Sequence, residues 1–264
     1  MTLRSLLFQP NTNDIDSVPT LARGISLAIA LLFLSVILFA SFYALQYQWN
    51  WDAAYRYRAK FVDGWIATLW LSLASLVFSF IIGIVSTLCR RSRFLPLQYI
   101  AKLYVELIRG TPLLVQIYLF FYVIADAAGI QNRYVIGIVI MALFSGAYIS
   151  EILRAGIDGI GKSQLLSAKA IGFTEYQTFR YVITPQALRS SLPALAGQAA
   201  NLIKDSSLLS IIAISEFTLN AQEVNAITYS SFESFFPLAI GYLILTLPIM
   251  RLSSRLEKRL RFDT

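Results

Sequence analysis

The sequence predicts an all-α, polytopic membrane helix bundle with about six transmembrane helices and a long cytoplasmic loop. Hydrophobic residues make up 57% of its 264 residues and charged residues only 14%, with a mean hydropathy of +0.63. A soluble domain of this size carries far more charge. The apolar runs are continuous and much longer than the strands of a membrane barrel, so the runs indicate helices.

Six apolar runs are candidates to cross about 30 Å of hydrocarbon. They cover residues 25–45, 65–88, 99–125, 134–153, 194–214 and 235–249. The first run has a second interpretation as a cleavable signal peptide, but its length and the polar stretch before it favour a retained helix. We therefore divide the chain into residues 1–63, a five-helix core at 64–253 that contains the loop 158–192, and a basic tail at 254–264.

The basic residues indicate the orientation. If the amino terminus is cytoplasmic, fifteen Lys and Arg residues fall on the cytoplasmic side and four on the other side, with three inside the spans. Cytoplasmic loops carry such an excess. The distribution predicts that both termini and the loop 158–192 are cytoplasmic. It also predicts that residues 215–234 form an outer loop, which is either solvated or faces a partner.

The loop 158–192 contains signals for a helical hairpin. Thr174 and Gln177 have the spacing of a capping box, which starts a helix. Gly172 suits the left-handed turn that ends the helix before it. Pro185 is predicted to end the second helix. The sequence thus predicts two short helices on the cytoplasmic face.

Tyr176, Phe179 and Ile183 would give the second helix of this hairpin an apolar stripe. One interpretation is a hairpin that rests on lipid. The other is docking into a groove of another protein, for which Ala168 and Gly172 are small enough to permit close approach.

The composition argues against catalysis by this chain. It contains no histidine and one cysteine, Cys89. Disulfides within the chain, histidine bases and histidine or cysteine metal sites are therefore excluded. The phosphate-binding pattern Gly-x-x-x-x-Gly-Lys-Ser/Thr is also missing. We expect no catalytic residue, no metal and no ATP site in this chain.

Charged residues nevertheless occur within or beside the apolar runs. A lone charge at the bilayer centre costs roughly 3 kcal/mol, so these groups should face protein or water. On a helix, Glu106 is spaced to pair with Arg109, and Glu151 with Arg154. Pro112 breaks the third run, and the sequence leaves open whether that break lies inside the membrane or at its cytoplasmic surface.

The polar side chains of these runs have two interpretations: pairs that hold helices together, or a path for a small polar solute. The candidate path residues are Glu106, Arg109, Thr111, Ser145, Glu151, Gln198, Asn201, Lys204, Asp205 and Ser206. An ATPase-independent secondary transporter or channel would carry similar groups, and it remains the alternative function.

Four stretches resemble the permease subunits of bacterial ABC importers, most closely the polar amino-acid branch. They are "YVELIRGTPLLVQ" (104–116), "SGAYISEILRAGI" (145–157), "QTFRYVITPQALR" (177–189) and "LIKDSSLLS" (202–210). The resemblance extends over about residues 64–253 and implies a type I importer-like fold. It implies import of a polar amino acid. Our hypothesis for a zwitterionic substrate is that Asp205 or Glu106 accepts from its ammonium group, and that Thr111, Ser145 or backbone amides at the helix break donate to its carboxylate.

The resemblance also implies that the hairpin is a coupling helix seated in a groove of an ATPase subunit. Its contact residues would be Leu165, Ala168, Ile171, Gly172, Tyr176, Phe179 and Pro185. Two departures from the family pattern stand out: Leu166-Ser167-Ala168 replaces Glu-Ala-Ala, and Thr184 replaces the usual Leu before the proline. The missing glutamate removes a salt bridge to the ATPase and slightly favours a paralogous partner permease.

The expected partners follow from the same resemblance. They are a second permease subunit, identical or paralogous, two ATP-binding subunits, an external solute-binding protein, the amino-acid substrate and membrane lipid, with no nucleic acid. ATP would be bound by the partner ATPases, and the complex would lie in the bacterial inner membrane.

Overall fold

The computed structural model describes residues 20–44 and 47–260, and every regular element in these ranges is helical. In chain order the helices are α1 Thr20–Ala44, α2 Trp51–Arg56, α3 Arg58–Arg90, α4 Leu95–Gly110, α5 Leu113–Leu119, α6 Arg133–Asp158, α7 Lys162–Ala170, α8 Glu175–Gln177, α9 Thr184–Asp205, α10 Phe217–Thr228 and α11 Ser231–Leu260. Wider π-helical turns extend α5 over Phe120–Ala125 and α8 over Thr178–Ile183, and a 3₁₀ segment, Ser206–Ile212, follows α9. The predicted all-α class is confirmed for these residues.

The chain divides into two compact units, residues 1–49 and 50–264. The first unit contains α1, whose window Gly24–Ser41 is apolar and long enough to cross a membrane. Large apolar side chains such as Leu32, Phe33 and Phe39 are exposed along it, as expected for a helix in lipid. The predicted amino-terminal segment before residue 20 and the end of the tail after residue 260 lie outside the described residues.

The second unit is built on the close packing of α3 against α6. A Cβ atom added to Gly83 would lie 2.5 Å from the Ile149 side chain, and one added to Gly146 would lie 2.8 Å from Ile82. Small polar residues also line this contact, where the Thr87 hydroxyl lies 3.2 Å from the Ser150 carbonyl oxygen. Small residues let membrane helices approach closely without a hydrophobic driving force. An apolar core formed by residues of α3, α5, α6, α9 and the 3₁₀ segment continues from this contact.

The third predicted span is a broken helix. Thr111 and Pro112 are extended, and α4 and α5 meet at 111°, because a proline disfavours helical backbone in the residue before it. The buried Gln116 amide closes the break by donating to the carbonyl oxygens of Ile108 at 2.7 Å and Thr111 at 3.1 Å. These bonds satisfy acceptors that the end of α4 leaves free.

Among the described residues, α1, α3, α6 and α11 are long and apolar enough to cross a membrane, and the bent α4–α5 pair would make a fifth. The prediction of six spans differs from the structure at one place. The predicted run 194–214 begins inside α9 and continues through its 3₁₀ extension. It contains Lys204 and Asp205, and α9 carries a further charge, Arg189, before the run. This segment is therefore less apolar than the other spans.

The hairpin predicted within the loop 158–192 is present, and its helices lie within residues 162–183. Gly172 has a φ of +82° after α7, which is the left-handed conformation that glycine adopts readily. The Thr174 hydroxyl accepts from the Gln177 amide at 3.2 Å, and the Gln177 side chain accepts from the Thr174 amide at 2.9 Å. Both the glycine turn and the capping box are confirmed.

The prediction that Pro185 ends the second helix is wrong. Pro185 lies in the first turn of α9, and the backbone stays helical from α8 through the π-helical turn into α9. A proline inside a regular helix clashes with the carbonyl four residues earlier. The wider turn before Pro185 relieves that conflict, and the Thr184 hydroxyl donates to the Phe179 carbonyl oxygen at 2.8 Å.

The predicted outer loop at residues 215–234 is largely helical. Its middle forms α10, which buries Phe217, Ala221 and Val224 against α3 and α11. Glu216 and Glu233, expected on a solvated or partner-facing loop, are fully buried. The sequence did not predict α10, because polar residues interrupt its apolar ones and obscure the helical period.

Candidate functional site

Glu151 is the centre of a network of ionic contacts near one end of the bundle. Its carboxylate accepts from Arg90 Nη1 at 2.8 Å and from Arg154 Nε at 3.2 Å, and Arg109 Nη1 lies 3.5 Å away. Arg154 also donates to Asp158 at 2.7 Å. We call this network the arginine cluster. The predicted pairing of Glu151 with Arg154 is confirmed.

The predicted pairing of Glu106 with Arg109 is wrong. Arg109 turns towards Glu151 and also lies 5.5 Å from the centre of the Tyr148 ring, so it joins α4 to α6 rather than forming a pair within α4. Glu106 lies 3.8 Å from Lys102, and both side chains are mostly exposed. Residues three apart on a helix are neighbours, but a better-buried carboxylate on another helix competes for the same guanidinium.

The position of Arg109 locates the helix break. Glu151 lies seven residues before the end of α6, which corresponds to about 10 Å along the helix axis. The break after Arg109 therefore stands beside the body of α6 rather than at its end. Thr111, the predicted path residue at this break, has an exposed side chain whose hydroxyl donates to the Leu107 carbonyl oxygen at 2.9 Å.

A second polar group lies along α9. The buried Gln198 amide donates to the Ser145 hydroxyl of α6 at 3.2 Å, and the Ser206 hydroxyl donates to the Ile203 carbonyl oxygen at 2.7 Å. Between Gln198 and Ser206, the side chains of Asn201 and Lys204 are exposed and that of Asp205 is half-buried. Within the described residues, none of these last three side chains has a hydrogen bond. They are available to a ligand or to another subunit.

The structure thus separates the ten predicted path residues. Arg109 and Glu151 belong to the arginine cluster. Ser145, which pairs with Gln198, lies about 9 Å from Glu151 along the axis of α6, towards the start of that helix, at 1.5 Å per residue. Glu106 and Thr111 are exposed near the break. Sequence analysis missed Gln116, which stabilises the break; its position four residues after Pro112 was the available signal.

The hairpin residues divide between exposed and packed positions. Ile171 and Tyr176 expose 69% and 72% of their surface, while Ala168 is buried. Gly172 and Pro185 are exposed, and Leu165 is half-buried. Phe179 lines an apolar cavity with residues of α3 and α6. The predicted apolar stripe is therefore split: its Phe179 end packs towards the bundle, and its Tyr176 end faces outward.

Within the described ranges, no three His, Cys, Asp or Glu residues come together as metal ligands would. The fully buried carboxyl of Glu216, at the start of α10, accepts from the Thr218 and Leu219 amides, each at 2.8 Å. The Tyr242 hydroxyl lies 3.1 Å from it. Burial raises the pKa of the Glu216 carboxyl, and these hydrogen bonds oppose the shift.

A multi-pass helical bundle with a broken helix, half-buried ion pairs and a projecting apolar hairpin defines a class, a membrane-embedded transport subunit. The particular family follows from comparison with known proteins. Residues 79–262 match the family described as binding-protein-dependent transport system inner membrane component. The chain belongs to this family, and it is a permease subunit of an ABC importer. The family resemblance seen in the sequence is confirmed.

Two curated relatives cover most of the chain. The probable glutamine ABC transporter permease protein GlnM of Bacillus subtilis is 34% identical over 76% of this chain and 94% of its own length. The glutamine transport system permease protein GlnP of Escherichia coli is 32% identical over 81% of this chain and 99% of its own length. These matches support an importer permease and not the ATPase-independent alternative.

Solved structures agree with this fold. The crystal structure of an amino acid ABC transporter with histidines matches at a TM-score of 0.75 and 32% identity, over 81% of this chain and all of that chain. An inward-facing structure of the methionine ABC transporter MetNI matches at a TM-score of 0.63 and 18% identity, over 76% of this chain and 96% of that one. At that lower identity the likeness concerns the fold alone.

Proposed function

We propose that this chain forms the translocation path of an ATP-driven importer of polar amino acids, with glutamine as the first candidate substrate. The single observation that carries the proposal is the 32% identity over 81% of the chain shared both with a glutamine permease and with an amino-acid transporter structure. Two permease subunits, identical or paralogous, two ATPases that bind the ATP, and an external binding protein complete the proposed complex.

The proposed orientation has the arginine cluster at the cytoplasmic end. The bias of Lys and Arg supports it, because Arg90, Arg91, Arg93 and the basic end of α11 would all lie on that side. Both termini are then cytoplasmic, and α10 and the buried Glu216 lie near the outer face.

The unbonded polar face of α9 is the proposed substrate contact. Asp205 and Lys204 supply one carboxylate and one ammonium group side by side, and Asn201 adds an amide one turn earlier. A zwitterionic amino acid needs an acceptor for its ammonium group and donors for its carboxylate, and it gains from charge-assisted hydrogen bonds to both. The amide of Asn201 suits the side-chain amide of glutamine in the same way.

The hairpin is the proposed coupling element. Ile171 and Tyr176 present apolar surface to solvent at the Gly172 turn, and a helix whose apolar side chains are exposed suits a groove on a partner. Since Leu166 stands where the family pattern has glutamate, the contact with the ATPase would depend on this apolar surface more than on a salt bridge.

The substrate contact is tested by Asp205→Asn. We expect uptake of labelled glutamine into proteoliposomes to fall at least tenfold while ATPase assembly is unchanged, because an ammonium partner is lost. Asp126→Asn, the same change at an exposed position beyond α5, is the matched control. Normal uptake by Asp205→Asn would remove this residue from the path.

The coupling contact is tested by Tyr176→Asp, which places a charge on the exposed stripe. We expect loss of ATPase subunits on co-purification. The control is Tyr229→Asp, at a residue that is 90% exposed at the end of α10, where a φ of +53° is one that aspartate tolerates. Equal ATPase recovery in both variants would contradict the proposed docking surface.

A further inference from the structure

The arginine cluster borders a pocket that the proposed transport function does not use. This pocket has a volume of about 490 Å³ and lies between the end of α3, the start of α4 and the end of α6. Its charged lining residues are Arg90, Arg91, Lys102, Arg154 and Asp158. Four cations thus face one carboxylate. The volume lies within the range of pockets that bind small molecules.

The charges of the surrounding residues leave the pocket positive. Glu151 and Asp158 neutralise part of the charge of the three arginines, and Glu106 stands 3.8 Å from Lys102. Counting Arg109 as well, five cations surround three carboxylates, so two positive charges are in excess. An anion would balance them.

The donors that remain suit a phosphate group. The Arg91 guanidinium donates to Asp158 through Nη1 at 3.0 Å, which leaves its other nitrogens directed elsewhere. Guanidinium groups bind phosphate oxygens through two parallel hydrogen bonds, and a lysine ammonium adds a mobile point charge. Arg90 and Arg154 donate hydrogen bonds to Glu151 directly. Arg91 and Lys102 are the two pocket cations that make no hydrogen bond to Glu151.

The apolar surface beside the pocket indicates where the phosphate comes from. On α4, Tyr99, Ile100 and Leu103 each expose more than half of their surface, while Ala101 and Val105 of the same helix are buried. A helix with exposed apolar side chains next to a cluster of cations is typical of a site for an anionic lipid, whose chains and headgroup need both surfaces. A free phosphate ion would need only the cations.

We infer that the pocket between α3, α4 and α6 binds the phosphate headgroup of an anionic phospholipid, whose acyl chains lie on the exposed apolar face of α4. Because α4 ends at the helix break beside Arg109, a bound lipid also restrains the segment that leads to the break. The inference depends on a membrane-embedded chain alone and not on which solute is carried.

The test is lipid binding to the purified permease complex, measured by native mass spectrometry with dioleoylphosphatidylglycerol and with dioleoylphosphatidylcholine. We expect preferential binding of phosphatidylglycerol. Arg91→Gln and Lys102→Gln should each weaken it roughly fivefold, which is the effect of removing one cation near an anionic lipid surface. Arg91→Lys keeps the charge and should retain most of the affinity. Recovery of the intact complex on size-exclusion chromatography shows that each variant folds.

Arg58→Gln is the matched control, because Arg58 is an exposed arginine at the opposite end of α3. An equal loss in Arg58→Gln would show a diffuse attraction and overturn the site. Unchanged affinity in both pocket variants would overturn it as well. Inorganic phosphate and soluble glycerophosphoglycerol are compared as competitors of phosphatidylglycerol. If both displace it equally well, and if Ile100→Ser leaves lipid affinity unchanged, then the ligand is soluble phosphate and the lipid assignment is wrong.

Discussion

Glu151 and Glu216 are carboxyl groups held inside opposite parts of the bundle, and their neighbours differ in charge. Glu151, on α6, contacts the guanidinium groups of three arginines. Glu216, at the start of α10, is fully buried among neutral donors: two backbone amides and the Tyr242 hydroxyl. A carboxylate removed from water needs compensation. One region supplies it with cations from its own helix and from two others, and the other supplies it with hydrogen bonds at a helix start.

This difference indicates different roles. Glu151 remains 22% exposed and joins α3, α4 and α6 through charge, so its contacts can rearrange with the helices that carry them. Glu216 caps α10 and also lies 3.5 Å from the Thr68 hydroxyl of α3, so it fixes α10 against α3 and α11. The first network links three helices through charge, and the second anchors the start of one helix through hydrogen bonds.

Glu216→Ala should have the largest effect of the changes that test this contrast. It removes a helix cap, worth about 1 kcal/mol, and the Tyr242 hydroxyl and the buried Thr68 hydroxyl each lose a hydrogen-bond partner, worth about 2 kcal/mol more. We expect the free energy of unfolding in mixed detergent micelles to fall by about 3 kcal/mol. The control is Glu223→Ala on the same helix, where a half-exposed ion pair with Lys60 should cost under about 1 kcal/mol. Equal losses would contradict the contrast.

Glu151→Gln should have the next largest effect. Three arginines lose their shared charge partner, but solvent reaches the site, so we expect a loss of about 2 kcal/mol. High salt should reduce the difference between the variant and the parent protein. Screening weakens the ion pairs of Glu151 in the parent protein and the repulsion between the arginines in the variant. A loss that is unaffected by salt would show that Glu151 acts through packing rather than charge. Glu106→Gln, at the exposed pair with Lys102, is the control.

A smaller effect concerns pH. Because burial raises the pKa of Glu216 above its ordinary value, the folded state binds this proton more tightly than the unfolded state. The resulting stabilisation is complete below the unfolded pKa and is lost as pH rises through the raised folded pKa. Glu216→Gln, which cannot ionise, should flatten this part of the pH profile of thermal stability. An identical pH profile in the variant would exclude Glu216 as the group responsible.

Arg93→Ala should have the smallest effect. The Arg93–Glu175 pair joins the α3–α4 connection to the hairpin at 2.7 Å, but its side chains are 87% and 86% exposed. Exposed pairs contribute little because water solvates both charges. We expect unfolding stability within error of the parent protein. A clear loss would show that this contact organises the hairpin, and charge reversal of both residues would then restore stability.

Local signals in the sequence were reliable where the physics is local. The capping box at Thr174 and the left-handed turn at Gly172 depend on residues within one turn, and both are present in the structure. Pro185 was misjudged because its effect depends on whether the preceding turn can widen. Thr184 and Phe179 provide that adjustment, and periodicity alone does not reveal it.

Pairing between helices was harder to predict. Arg109 has a suitable neighbour three residues away in Glu106, yet it contacts Glu151 on another helix. The acidic residues 216 and 233 were expected at a surface, because a stretch without Lys or Arg resembles an outer loop. Their burial depends partly on donors that are distant in sequence. The Asn50 backbone amide donates to Glu233 at 2.6 Å, and the Tyr242 hydroxyl donates to Glu216 at 3.1 Å.

The sequence by itself determined the class, most of the spans, the hairpin and the family, because length, apolarity and short motifs act over a few residues or over the whole composition. The tertiary structure decided which charges share a network, that α10 packs against α3 and α11, and that the third span bends by 111° and is closed by Gln116. These features depend on contacts between residues far apart in the chain. Such contacts are chosen by competition among partners, and only the folded arrangement brings those partners within reach.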